Sequence, residues 1–375
     1  MKTDKGKDHE LCKVTIGRHN FHHFLGSAAP TSTLTTEIID MSFLKPILAA
    51  YFLLFLPAFP SPTLKPAFTK TVYQFSNTTW IENIATTRNG SLLVSILARA
   101  SGAEIYLVNP FSKSPTATLV EAIPGADSAF GITELSEDVF AVITSTYDLT
   151  NGPNIGSSSV WTVDLSPRSN GEVGVPAVKK IADIKIAQFL NGAVALNPTT
   201  VLLADSFGGN VVALDISTGK YGVVLKDASM SPNGTGPVPI GVNGLKVHDG
   251  YLYYSNTIQN SLSRVKIDKK TGKPLSKFER ITSGVSTPDD FSLLPSGSVI
   301  LAEPLSNTVV KVSAKGVVTP IAGSLDSSLV AGVTSVSLGR TSRDKGVAYV
   351  VTNGGLSGRA NGTEVEGGKV IGIWL

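Results

Sequence analysis

One unit recurs along the chain, and it leaves few folds open. It starts on a short strand, passes a turn, continues in a strongly β-branched strand, and ends in two further strands joined by polar links. Six copies follow one another from Lys70. They begin with WIENIATTRNGSLLVSILA, FGITELSEDVFAVITS, NGAVALNPTTVLLADS, NGLKVHDGYLYYSN, DDFSLLPSGSVILAEP and TSVSLGRTSRDKGVAYVVTNGG. Aligning the openings gives Glu82, Phe130, Asn191, Asn243, Asp289 and Thr334, at steps of 48, 61, 52, 46 and 45 residues. Four short strands per unit at that period read as the blades of an all-β, six-bladed β-propeller spanning residues 70–375. An open ring would leave unpaired strand edges. The strand TVYQF near residues 71–75 belongs to no unit, so it is expected beside the terminal KVIGIWL, completing the last blade and closing the ring. The composition agrees. The 36 Gly and 21 Pro supply turns, and a charged fraction of 16% leaves little for long solvated helices.

The same repeat says where function lies. The first strand of each blade lines the central channel, so the six opening residues converge at one mouth. Four of them are Glu82, Asn191, Asn243 and Asp289, with Asp290 beside the last. Polar groups placed there cost free energy unless they are partnered. The ring therefore suggests a bound cation, ordered water or a polar ligand. The alternative is hydrogen bonding to neighbouring turns and channel water.

The N-terminus reads differently. Residues 1–40 are polar and patternless, as expected of an upstream gene-model extension. Residues 41–62 carry Lys45 and then an apolar run, Pro46 to Phe59, that is short for a membrane span. A secretory signal peptide is expected there, with a signal anchor as the alternative. Removing both segments takes away Cys12 and leaves His248 as the one histidine. Cysteine nucleophiles, Cys–His pairs and histidine-rich zinc sites are then excluded. His248 sits in KVHDGY and reads as a surface residue next to a tight Asp-Gly turn. The sequons at Asn77, Asn89, Asn233 and Asn361 fit glycosylation on a secretory route. A net charge of +3 is too small for an electrostatic nucleic-acid or anionic-membrane binder. The expected product is a monomer that binds a small molecule, with no nucleic-acid partner and no membrane contact after signal cleavage.

The stretches TWIENIAT, FLNGAVAL, GVNGLKV, TPDDFSLL, TSVSLGRT and VTNGG resemble the six-bladed propellers of the SMP-30/gluconolactonase/LRE-like group. The resemblance spans roughly residues 70–375. It is strongest to a fungal branch that includes hetero-Diels–Alderases of tropolone–sesquiterpenoid biosynthesis. In the lactonase members a divalent cation is held by a Glu on blade one, an Asn on blade four and an Asp on blade five, while an Asn on blade three contacts substrate. The resemblance puts these roles on Glu82, Asn243, Asp289 and Asn191, and oxygen-only ligation suits Ca²⁺ or Mg²⁺. In that reading the cation polarises a carbonyl and Asp289 acts as base toward water. The chain departs from the lactonase pattern in having Asn83-Ile84-Ala85 after the blade-one Glu, and Asp290 where that group commonly has Gly.

The cyclase members imply another chemistry, for which no cofactor is required. The channel would hold a reactive quinone methide and a terpene polyene together and gain rate by proximity and orientation. Asn191, Asn243 and Thr334 are candidate donors to the carbonyl oxygen. Trp80, Phe130, Phe291, Tyr147 and Tyr254 are candidate walls, and Asp290 is a candidate substrate contact. Trp161 and Trp374 are assigned to core strands and ring closure. A loop between Gly354-Gly355 and Gly367-Gly368 is a candidate lid. A non-catalytic ligand-binding propeller is the third reading.

Overall fold

The computed structural model describes residues 67–166, 175–235, 239–360 and 363–375. The extension at 1–40, the apolar segment at 41–62 and the sequon at Asn361 lie outside the described residues. From Leu64 onward the chain forms one unit. It contains six four-stranded antiparallel sheets, the six blades. Their first strands are Trp80–Thr86, Ser128–Ser136, Leu190–Asn197, Val242–His248, Phe291–Leu293 and Val333–Leu338. The strand Thr69–Gln74 pairs antiparallel with the final strand Lys369–Trp374, so the last blade is built from both ends of the propeller. This is the closure the sequence predicts, and it removes the free edges.

The blades hold together through six hydrophobic clusters, one for each neighbouring pair. Between blades one and two, for example, Leu93 and Ile105 meet Ile132 and Phe140. Between blades six and one, Tyr349 and Val351 meet Ile81 and Val94. The second strand of blade one, Leu92–Leu97, is buried at every position. It touches a different neighbour on each face: Leu93 belongs to one cluster and Val94 to the other. This accounts for the nearly unbroken apolar runs that recur in the sequence, since a strand covered on both faces has no polar face to display.

Hydroxyls staple each blade to the next near the axis. Ser95 Oγ donates to the Phe130 carbonyl at 2.8 Å and Ser255 Oγ to the Asp289 carbonyl at 2.7 Å. Thr334 Oγ1 donates to the Ile81 carbonyl at 2.8 Å and so bridges the last blade to the first. The inner strands also approach closely. A Cβ on Gly131 would stand 2.5 Å from the Asn191 carbonyl oxygen, so only glycine fits there.

Candidate functional site

Five of the six opening residues sit at an irregularity in their strand, and the sixth, Asp289, lies just before the blade-five strand Phe291–Leu293. In blade one the pairing passes from Ile81 to Asn83 and leaves Glu82 out of register. The same shift skips Phe130, Asn191, Asn243 and Thr334 in their blades. A bulge of this kind re-aims a side chain and is a common device beside binding sites. Five repeated bulges turn the opening positions toward the axis.

They meet at a cavity of about 110 Å³. Glu82, Asn191, Asn243 and Asp289 form its polar side. Trp80, Leu97, Phe130, Tyr147 and Phe189 form an apolar wall. The aromatic rings pack edge to face: Phe130 and Phe189 have centroids 5.2 Å apart, and Phe130 and Tyr147 5.8 Å. Tyr147 reaches the cavity from an additional short hairpin, in which Tyr147–Asp148 pairs with Gly152–Pro153. Leu305 and Ser357 complete the rim from the loops of blades five and six. Ser357 is held by the Asn353 amide at 2.7 Å, within the region expected to supply a lid.

The two carboxyl groups at this mouth hold protons unusually tightly. Burial raises Glu82 from an ordinary 4.5 to about 7. A hydrogen bond from Trp80 Nε1 to Glu82 Oε2, 2.7 Å, works against that rise, and the charge of Asp290 adds to it. Asp289 is pushed well above the usual carboxylate range, first by burial and then by Glu82 and Asp290. Hydrogen bonding from the Asn243 side chain and the Asp290 backbone opposes this shift. The site is therefore a low-dielectric pocket with carboxylic acid protons available near neutral pH. Tyr147 is raised to about 12, mainly by burial, and keeps its phenolic proton.

The orientation of the Asn243 amide follows from its neighbour. Thr257 Oγ1 donates its proton to the Pro288 carbonyl at 2.8 Å, so toward Asn243 it can only accept. Asn243 Nδ2 donates to it at 3.0 Å, which turns Oδ1 the other way. That oxygen is buried without a hydrogen-bond partner among the described residues. Thr287 lines the same cavity with φ of +43°. Such a backbone in a β-branched residue costs about 1–3 kcal/mol unless its surroundings impose it. Here Asn260 Oδ1 accepts the Thr287 N–H at 2.7 Å and Glu303 Oε1 accepts the Ser286 N–H at 2.8 Å.

The structure brings Trp80, Glu82, Phe130, Asn191, Asn243, Asp289 and Tyr147 together at the cavity. It places four of the expected contacts elsewhere, Asp290, Phe291, Thr334 and Tyr254. Asp290, one residue after the opening position and just before the strand, accepts from Lys246 Nζ at 2.6 Å, Asn83 Nδ2 at 3.0 Å and Ser335 Oγ at 3.0 Å. Phe291 is fully buried in the cluster between blades four and five. Thr334 spends its hydroxyl on the inter-blade staple. Tyr254 is likewise core, with its hydroxyl 2.6 Å from Ser229 Oγ. Trp161 packs in the core beside blade two, whereas Trp374 is 42% exposed on the closing blade. His248 lies by its turn, 3.4 Å from Asp249, and takes no part in the site. Asn77, Asn89 and Asn233 are exposed.

Sequence reasoning missed Phe189 and Thr287. For Phe189 the signal was present: Trp80 and Phe189 each stand two residues before an opening residue, and alternation along an extended chain puts positions two apart on one face. Thr287 holds the same spacing, but its φ of +43° is not extended, so alternation does not place it. Among the described residues no three His, Cys, Asp or Glu side chains cluster as metal ligands. Two carboxyls and the Asn243 carbonyl oxygen are what the mouth offers.

No family model matches the chain. Two curated relatives bear the provisional name hetero-Diels–Alderase. One, from a Phoma species, is 26% identical over 316 residues and the alignment covers 78% of this chain and 89% of that protein. The other, from Sarocladium schorii, is 27% identical over 317 residues, covering 76% and 78%. Among solved structures, a luciferin-regenerating enzyme superposes with a TM-score of 0.56 at 14% identity, over 82% of this chain and 95% of that one. A calcium-binding protein, regucalcin, from Agrobacterium tumefaciens superposes at 0.55 and 14%, over 82% and 94%. The likeness thus extends over about three quarters of this chain in sequence and over 82% of it in fold.

Proposed function

We propose that the cavity catalyses a hetero-Diels–Alder cyclisation, in which a quinone methide and a terpene polyene are joined. The observation that carries this reading is the contact of Glu82, an acid that retains its proton near pH 7, with an aromatic wall. In the reaction the carbonyl oxygen of the heterodiene becomes the ring oxygen of a dihydropyran. One C–O and one C–C bond form across an alkene, and nothing leaves. Negative charge builds on that oxygen in the transition state. Protonated Glu82, held by Trp80, and the Asn191 amide are suited to stabilise it by hydrogen bonding. The apolar wall orients the partners and supplies proximity. A cavity of about 110 Å³ takes one ring, so the polyene would lie across the open aromatic rim. The two relatives named for this activity support the assignment.

The test is to incubate the protein with a tropolone quinone-methide precursor and a humulene-type triene. Adduct should form faster than in buffer and with one stereochemistry. Yield and stereochemistry equal to the uncatalysed reaction would exclude the reading.

One observation favours a second reading, a cation-dependent lactonase. Asn243 Oδ1 is buried without a partner at the same mouth as two carboxyl groups, and this oxygen-only set fits a divalent cation. Glu82, Asn243 and Asp289 would hold it, and when bound it would act as a Lewis acid toward a carbonyl. Metal analysis of wild type and Glu82→Gln, followed by lactone hydrolysis, separates the two. A bound cation lost in the variant together with hydrolysis supports the second reading.

A further inference from the structure

The inner strands start at the mouth, so their ends mark the far end of the propeller. In blade six Leu338 pairs with Ala348 and Val347 with Trp374, whose N–H bonds the Phe68 carbonyl, so Phe68 and Trp374 stand at that end. In blade five the row Leu293, Val299, Val312 and Val318 puts Val317 there too. In blade four the long turn after Lys266 carries Leu275. None of these four is core: Phe68, Val317, Leu275 and Trp374 are between 42% and 66% exposed. Phe68 and Trp374 form one exposed aromatic pair, with ring centroids 4.9 Å apart. Trp374 and Val317 line a groove between blades five and six. Ser313 lines that groove and a second cleft between blades four and five, so the face runs across three blades.

The charges around it are mostly of one sign. The far-end turns of blades four to six, 249–250, 267–278, 294–298, 313–317 and 339–346, hold eight Lys and Arg against three Asp. Asp344 is buried, and Asp268 is engaged by the N–H groups of its own turn, at Lys270 and Thr271. Lys269, Lys270, Lys273, Lys277 and Lys315 are exposed and make no ion pair among the described residues. The whole chain is nearly balanced, 32 basic against 29 acidic, and that balance hides the local excess. Apolar tips interleaved with free lysines suit a bilayer interface: the tips enter the acyl boundary while the ammonium groups stay among anionic headgroups. The chain also enters the propeller at this face. In sequence, seven residues separate the apolar run Pro46–Phe59 from Ala67, which lines the same groove. We propose that the far end of blades four to six docks on an anionic lipid bilayer, with the channel mouth on the opposite end left free.

The test mixes full-length protein with vesicles of phosphatidylcholine, alone or with phosphatidylserine, whose acyl chains carry bromine to quench a tryptophan that enters them. On anionic vesicles wild-type fluorescence should be quenched. Trp374→Phe, whose remaining Trp80 and Trp161 lie at the cavity and beside blade two, should not be quenched. Binding should weaken with salt. It should fall by about fivefold for each lysine removed, as in Lys270→Gln or Lys315→Gln. Both lysines are exposed, so these variants should melt as wild type does. A chain held on the vesicle by its N-terminal apolar run alone would bind with Trp374 unquenched and would ignore the lysine substitutions. That result overturns the proposal, as does equal binding to neutral and anionic vesicles, or no binding to either.

Discussion

Asp289 and Asp290 are neighbours in sequence and opposites in situation. Asp290 is enclosed by Lys246, Asn83 and Ser335, so its buried charge is matched and hydrogen bonded. Asp289 faces the cavity, close enough to Glu82 for their charges to disfavour each other. One residue along an extended strand reverses the direction of the side chain. The Asp290 ring therefore belongs to the scaffold, while the Asp289 ring is left incomplete by the protein. Carboxylates from distant blades at one mouth are informative only once their partners have been counted.

The contrast can be broken from either side. The largest stability effect is expected for Lys246→Met, which strands the Asp290 carboxylate without its counter-charge. A loss of about 3–5 kcal/mol, the cost of breaking a buried pair, should appear in denaturant unfolding. Next comes the pH dependence of stability. The folded-state value of Glu82, about 7, lies above its ordinary 4.5, so the folded protein binds the extra proton in between. Stability should be greatest below about pH 4.5 on this account and fall as pH rises through 7, by up to ~3 kcal/mol. Glu82→Gln should flatten that slope in thermal melts across the same range. Asp289→Asn, by contrast with Lys246→Met, should raise stability at neutral pH by on the order of 1 kcal/mol, since it removes the cost of burying a carboxyl group that is ionised in the unfolded chain. The smallest effect is expected for Trp80→Phe. Losing the indole N–H that steadies ionised Glu82 should move the Glu82 titration upward, as read by carboxyl infrared or NMR signals.

The fold was legible because the period is a property of every blade. The second strands are apolar on both faces, the turns carry Gly, Asn and Asp, and the leftover N-terminal strand had one open edge to fill. The site was legible where the same period reaches it, which yielded Glu82, Asn191, Asn243 and Asp289. The expectations for Asp290, Phe291 and Thr334 fail for different reasons. Alternation turns Asp290 away from the face of Asp289, and Phe291 is drawn into the apolar cluster between blades four and five. Thr334 looked like a free donor because a staple to the Ile81 carbonyl leaves no mark in sequence. Phe189 was recoverable from alternation, whereas Thr287, in a left-handed conformation, was not. Leu305 and Ser357 were not, because they come from loops, which carry no repeat.

The central claim is that a protonated Glu82 drives the cyclisation. Its most direct test is the rate of adduct formation against pH for wild type and Glu82→Gln, each corrected for the reaction in buffer. The wild-type rate should be level in acid and fall as pH rises through about 7. Glu82→Gln keeps an amide donor that does not titrate and should show no such fall, whereas Glu82→Leu, which has no donor, should be slower by roughly 10²-fold, the scale of one lost transition-state donor. A wild-type rate independent of pH across that range, or the same fall in Glu82→Gln, would contradict it.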